Sequence, residues 1–309
     1  MPVIITITLS PCIDKSTSVS SLIPEKKLIC SSPKLEPGGG GINVARAIKK
    51  LGGNAIAIYP AGGYTGAFFN ALMHKEDIDS VIISTKNETR ENIIVLDESS
   101  NDQYRFGMPG NELSEPEWTQ CLDAVKEIND VEFIIASGSL PPGVPLNIFG
   151  RLARIAKSKN ARFIVDTSGE ALKEALEEGV YLLKPNLGEL SRLANTTTIE
   201  INEVENIAKE FISKGKCEVM AVSMGAAGAM LVTKDKAKVF RPPAVIRRST
   251  IGAGDSMVAG IVHYLSSGKT LEEAIQYGVA CGTAATLNPG TALCSKEDVE
   301  KLYPAIEVS

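Results

Sequence analysis

The sequence predicts an α/β fold: a mostly parallel sheet flanked by helices, with a small β-sheet lid. Three observations carry that expectation. Short β-branched, apolar runs alternate with stretches of helical period along most of the chain, the pattern of repeated βαβ units. Glycine-rich or polar junctions follow several of those runs, where a parallel sheet places its ligand crevice. Two β-rich segments, about 15–37 and 81–107, interrupt the alternation and are expected to pair as one lid over the strand ends. With no tandem repeat or long linker, residues 1–309 read as one domain.

Taken in order, residues 3–9 are apolar and β-branched and predict a buried first strand. Residues 15–37 are polar and lack a helical period. After Gly38–Gly41, Ile42, Ala45 and Ile48 follow helical spacing, and Gly52-Gly53 stops the helix. A strand is expected over 55–61 and a helix over 65–74. Residues 82–83, 92–96 and 103–106 read as short strands, with a polar hairpin loop at 97–102. Helices then fall at 115–128, 146–157, 170–177, 188–193 and 201–213. Strands fall between them at 132–136, 162–166, 180–183 and 218–222. Residues 229–233 and 237–240 read as a hairpin, followed by helices over 253–266, 271–287 and 296–303.

Composition excludes several classes of function. The chain has 309 residues, enough to bury a large core unaided, and a net charge of −5. An acidic protein is poorly suited to nucleic-acid backbone, though a few local cations suffice for a small phosphorylated ligand. The six cysteines form no CxxC pair and only two histidines accompany them, so a zinc site is not expected and free, mostly buried thiols are. No apolar run reaches the roughly 20 residues of a membrane span. The N-terminus has no basic, apolar leader pattern, and a cytoplasmic location is expected.

Residues 247–256, RRSTIGAGDS, are the most informative. Gly252 and Gly254 flank Ala253 at the start of an apolar helix. Such a turn brings backbone N–H groups to a ligand, and the helix N-terminus favours negative charge. Asp255 in that first turn suits the proton acceptor of a phosphoryl transfer; an ordinary helix cap is the competing reading.

Gly38–Gly41 cost entropy to order, which points to close approach of backbone and ligand, and Asn43 one turn later suits hydroxyl recognition. Neither a Walker A loop nor a Rossmann fingerprint is present. In KPNLGE, 184–189, Asn186 and Glu189 offer oxygen ligands to Mg²⁺, while a capping box explains the same spacing. Asp14 follows the first strand and suits sugar hydroxyls, or simply a turn. Ser139, and the SMGAAG run at 223–228, follow other strands; the latter suits a nucleotide. Arg90 and Lys27, one in each β-rich segment, are candidates to grip a phosphate.

Read together, PGGGGINVARA at 37–47, SGSLPPG at 137–143, KPNLGEL at 184–190, VSMGAAG at 222–228 and TIGAGDSM at 250–257 resemble the ribokinase-like (PfkB) carbohydrate kinase family over almost the whole chain. GGGGINVARA and the early TLSPCID most resemble its minor bacterial 6-phosphofructokinase branch. Tagatose-6-phosphate kinases and 1-phosphofructokinases look similar but usually carry lysine where Gly40 stands.

The resemblance implies a three-layer α/β/α core with the lid shared across a homodimer. It implies Asp255 as base and Gly252, Ala253 and Gly254 as anion hole. Asp14, Gly39, Asn43 and Ser139 would hold the sugar, with Lys27 and Arg90 at its phosphate. Lys184, Asn186, Ser223, Gly225 and Gly228 would serve ATP, and Asn186 and Glu189 Mg²⁺, largely through water. Ser249, Ile251, Ala285, Asn288 and Gly290 match a monovalent-cation site, implying K⁺. Two positions depart from the pattern: Ile29 and Ala292 stand where related 6-phosphofructokinases often carry arginine. The activity implied is ATP-dependent phosphorylation of fructose 6-phosphate, with tagatose 6-phosphate and fructose 1-phosphate as alternative substrates. A non-catalytic sugar-phosphate or nucleotide sensor is the competing class.

Overall fold

The computed structural model describes residues 3–309. Strand β1 (Val3–Ile7) enters the core, and β2 (Cys12–Val19) and β3 (Lys34–Gly38) leave it as a hairpin-like pair. The glycine run then opens helix α1 (Gly40–Lys50). After it come β4 (Ile56–Gly62), α2 (Gly63–Lys75) and β5 (Ser80–Thr85). Next are β6 (Arg90–Asp97), β7 (Asp102–Phe106) and α3 (Glu115–Glu127). At the start of α3 the Glu117 carboxylate reaches back to accept from Ser114 N and Ser114 Oγ, both at 2.7 Å, as in a capping box.

Strict alternation resumes with β8 (Val131–Ser137), α4 (Ile148–Ser158), β9 (Arg162–Asp166), α5 (Gly169–Glu177) and β10 (Val180–Leu183). It continues through α6 (Leu187–Leu193), α7 (Val204–Ser213) and β11 (Cys217–Ser223). The hairpin β12 (Ala229–Val232) and β13 (Ala237–Arg241) follows. The chain ends with α8 (Ala253–Ser266), α9 (Leu271–Thr286), α10 (Lys296–Leu302) and a short β14 (Glu307–Val308).

Ten strands form one sheet in the order β14-β13-β12-β11-β10-β9-β8-β1-β4-β5. Pairing is parallel from β11 to β5, and antiparallel only at the end carrying β12, β13 and β14. Alternation across the pleat divides the core in two. Ile4, Tyr59, Phe133, Ile164 and Leu182 face α1, α8 and α9. Ile5, Ile58, Ile134, Val165 and Leu183 face α3, α4, α5 and α7. The result is the expected three-layer α/β/α arrangement.

A second sheet of four strands has the order β3-β2-β6-β7, with β2 and β6 parallel and the outer pairs antiparallel. Its boundaries correct the sequence reading. β5, expected within the 81–107 excursion, instead pairs with β4 as the edge of the large sheet. An edge strand is half exposed, so Ile82 at 46 % exposure mimics the pattern of a small outlying sheet. Likewise β2 begins at Cys12, earlier than 15, because it hydrogen-bonds to β6 from Cys12 onward. The β14 strand carries no sequence signal; its short exposed dipeptide is ordered by pairing with β13.

Candidate active site

The parallel strands deliver polar residues to one edge of the large sheet: Ser137 from β8, Asp166 from β9, Lys184 just after β10 and Ser223 from β11. α8 starts against the same edge. Gly252 caps it with φ +71°, a left-handed conformation that glycine adopts without strain, and a Cβ there would lie 2.7 Å from Leu293 Cδ2. The first-turn N–H groups of α8 have no partner within the helix and lie beside Lys184, whose Nζ would be 3.3 Å from a Cβ on Gly254. An anionic group is therefore met by a helix terminus and a buried ammonium together.

Asp255 is the third residue of α8, and Asn43 of α1 donates Nδ2–H to its Oδ2 at 2.9 Å. Burial and the neighbouring Asp166 push the Asp255 carboxyl up to about 7; the Asn43 bond and Lys184 oppose them. Burial pulls Lys184 down, but Asp166 at 3.5 Å, Glu189 and Asp255 outweigh it, so the ammonium is held above its ordinary value. A carboxylate poised near neutrality beside a fixed cation is the pairing expected of a proton acceptor in phosphoryl transfer.

The glycine run owes its composition to crowding. A Cβ on Gly38 would collide with the Asp14 carboxylate and one on Gly40 with Ser137 Oγ; one on Gly41 would sit 2.6 Å from Thr8 Oγ1. Backbone thus lies directly against the polar edge. Gly39, at φ +117°, turns the chain from β3 into α1 and so aims Asn43 at Asp255.

Across from this edge, the small sheet presents a network that sequence reasoning only partly found. Asp14 Oδ1 accepts from Asn92 Nδ2 at 3.0 Å and from the Cys12 thiol at 3.3 Å. Burial and the Asp14 charge keep that thiol protonated, raised well above its ordinary range. Asn92 Oδ1 accepts from Arg90 Nη1 at 3.2 Å and from Met108 N at 3.1 Å. Asn92 therefore fastens Asp14 to Arg90. The parallel β2–β6 register, Asp14 opposite Asn92, creates this contact, and only an i,i+2 relation to Arg90 hinted at it. Arg90 also donates to the carbonyls of Met108 and Ser10, leaving its buried Nε without an acceptor. Arg105 of β7 was also missed; burial pulls its guanidinium down and the Asp14 charge lifts it. It has no hydrogen-bond or ion-pair partner among the described residues. Lys27 is exposed on the loop between β2 and β3, whereas Arg90 opens β6. Ser139 is exposed just past β8.

On the other flank of α8 a cavity of about 590 Å³ is lined by Lys184, Asn186, Ser223, Gly225, Gly228 and Gly254, among others. The volume suits a nucleotide-sized ligand. Asn186 and Glu189 form a reciprocal capping box, with Asn186 N to Glu189 Oε2 and Glu189 N to Asn186 Oδ1 both 2.9 Å. Among the described residues no group of three His, Cys, Asp or Glu could hold a metal ion. Two loops meet behind the start of α8: Ser249 Oγ donates to the Gly290 carbonyl at 2.8 Å, Ile251 N donates to Ser249 Oγ, and Asn288 N donates to the Ala285 carbonyl.

The chain shares its pattern with well-described proteins. It is 46 % identical over 301 residues, 97 % of each chain, to the ATP-dependent 6-phosphofructokinase isozyme 2 of Escherichia coli K12. The fold superposes on phosphofructokinase-2 of Escherichia coli in complex with potassium, with TM-score 0.95, 45 % identity and 99 % of both chains covered. The complex of that enzyme with fructose-6-phosphate gives TM-score 0.93 at 44 % identity, again over 99 % of each chain. The pfkB family carbohydrate kinase pattern matches residues 3–298, and the chain belongs to that family.

Proposed function

We propose that this protein transfers the γ-phosphoryl group of ATP to the C1 hydroxyl of fructose 6-phosphate, giving fructose 1,6-bisphosphate and ADP. The observation that carries the proposal is Asp255: a carboxyl raised to about 7 by burial, in the first turn of a glycine-capped helix, and oriented by Asn43. In the reaction Asp255 accepts the C1 hydroxyl proton as that oxygen bonds to the γ-phosphorus. The bond to the β–γ bridging oxygen breaks and ADP leaves. Gly252, Ala253 and Gly254, with Lys184, face the charge that spreads over the transferring group.

Asp14, Gly39, Asn43 and Ser139 hold the sugar; Arg90 and Lys27 take its phosphate. ATP lies in the cavity beside Lys184, Asn186, Ser223, Gly225 and Gly228. Asn186 and Glu189 offer one amide oxygen and one carboxylate, each accepting only a backbone N–H, a sparse oxygen donor set that fits an ion keeping water and phosphate oxygens as ligands. Asn186 and Glu189 would hold Mg²⁺ that way, and the ion would neutralise triphosphate charge. Ser249, Ile251, Ala285, Asn288 and Gly290 would hold K⁺. The whole chain acts as one kinase domain in the cytoplasm, with the small sheet as its lid. A homodimer forms through that lid, supported by Ile93, Tyr104 and Phe106, which are 38–46 % exposed on one of its faces.

Turnover of purified protein with Mg-ATP and K⁺ tests the reading, comparing fructose 6-phosphate, tagatose 6-phosphate, fructose 1-phosphate and fructose. The expected result is the highest kcat/KM for fructose 6-phosphate. A preference for another sugar moves the substrate and keeps the chemistry; ligand binding with no turnover of any of them leaves a sensor. Asn92→Ala is expected to raise KM for the sugar phosphate about tenfold with kcat changed far less. It frees Asp14 and Arg90 from each other, and both act on substrate binding.

A further inference from the structure

Glu36 is the last carboxylate before the glycine run, and it is 7 % exposed. A buried carboxylate is retained only when its oxygens are satisfied. Here the partners come from separate parts of the molecule. Oε1 accepts from Arg46 Nη2 of α1 at 2.9 Å. Oε2 accepts from Thr291 Oγ1 at 2.7 Å and lies 3.1 Å from Lys34 Nζ on β3. Arg46 is 2 % exposed and binds back to the Pro37 carbonyl at 3.0 Å and to Glu76 at 2.8 Å.

Glu36 and two of these partners, Arg46 and Thr291, lead to the reaction centre by short routes. Glu36 lies on β3, which pairs with β2, and Asp14 stands directly opposite it in register. Arg46 lies one turn beyond Asn43 on α1, and Asn43 holds Asp255. Thr291 follows Gly290, whose carbonyl accepts from Ser249, and Ser249 in turn accepts from Ile251 N at the threshold of Gly252. The Thr291 bond spans 255 residues of chain and joins the small sheet to this loop.

We infer that Glu36 is a positioning residue. Through Thr291 it ties the root of the small sheet to the anion-hole loops, so that engagement of a sugar phosphate by the sheet is felt at Gly252–Gly254. The tie rests on the phosphotransferase reading for its purpose. Neither Glu36 nor Thr291 is itself a substrate contact or a cation ligand; they act through β3 and through Gly290.

Thr291→Val removes the hydroxyl while keeping side-chain shape, and Thr291→Ser restores it. Hydrogen exchange is measured on wild type and both variants, with and without fructose 6-phosphate. In wild type the ligand is expected to slow exchange in β2 and β6 and also in residues 248–254 and 286–291. In Thr291→Val the β2 and β6 response should persist while the loop response falls at least about threefold, and Thr291→Ser should recover it. Steady-state kinetics should show kcat reduced about tenfold in Thr291→Val with KM for the sugar phosphate within about threefold. Residues that misplace the reacting groups cost rate, whereas loss of rigidity alone costs stability.

Loop protection equal in Thr291→Val and wild type overturns the tie, as does wild-type protection confined to β2 and β6. Protection of no segment at all overturns the tie together with the sugar-phosphate reading. Protection that propagates normally without turnover overturns only the reaction assigned to the site.

Discussion

Asp255→Asn is expected to lower kcat by roughly 10³-fold while KM for both substrates stays within a few-fold, because the amide keeps the Asn43 contact and the site's shape but cannot take the proton. The pH profile supplies an independent check. With the Asp255 carboxyl at about 7, the base is protonated on the acid side, so wild-type kcat/KM should fall about tenfold per pH unit below about 7. The residual activity of Asp255→Asn should lose that limb. A variant with near-wild-type kcat would remove Asp255 from the mechanism.

The same substitution has a stability consequence of opposite sign. The ordinary value of the group is 3.8 and the folded value is about 7, so the folded state binds this proton more tightly than the unfolded state does. Its contribution to stability is full below the ordinary value and is lost as pH rises through the folded one. At pH 8 the wild type carries the cost of a buried charge that Asp255→Asn lacks. A gain of about 2 kcal/mol, or roughly 4 °C in Tm, is expected in the variant at pH 8 and should vanish near pH 4. Activity lost and stability gained together are the signature of a functional buried charge.

Arg46→Met is expected to be the most destabilising substitution in the polar part of the core. It leaves the Glu36 carboxylate buried without its guanidinium and orphans the Pro37 carbonyl and Glu76. Breaking one side of such a pair costs about 3–5 kcal/mol, a fall of roughly 6–10 °C in Tm. The double variant Arg46→Met/Glu36→Gln should recover part of that loss, because it removes the unpaired charge. Burial pushes Glu36 up, but Thr291 and Arg46 outweigh it and hold the carboxyl below its ordinary 4.5. Its stabilising contribution is therefore present above that value and lost as pH falls through the depressed one. The gap between wild type and Arg46→Met, measured by Tm against pH, should narrow as pH falls below the ordinary 4.5. A pH-independent gap, or no recovery in the double variant, would show that Arg46 contributes packing alone.

Much of the site was legible because its parts are local in sequence. Gly252-Ala253-Gly254-Asp255 is a turn and the helix it starts, and the close approach expected at Gly38–Gly41 follows from glycine content alone. The capping box at Asn186 and Glu189, foreseen as the competing reading, is present. The Asp14–Asn92–Arg90 network was not legible, because it depends on β2 lying parallel to β6 in one register out of several. Arg105 reads in sequence as one more surface arginine, and only the sheet turns it toward the charge of Asp14. The place of β5 in the large sheet is likewise not encoded locally, since an edge strand and a small-sheet strand share a half-exposed pattern.

The alternation of strand and helix, the stops and starts at glycine, and the residue types gathered at each strand end follow from local sequence. These depend on periods of two and 3.6 residues and on backbone freedom, which act over a few positions. Tertiary structure alone decided that Asp255 would be buried beside Asp166 and Lys184 and so be lifted toward neutrality. It alone decided that Glu36 would meet Arg46 and Thr291. Desolvation and charge coupling depend on which distant segments exclude water from one another, and the packing of layers sets that distance.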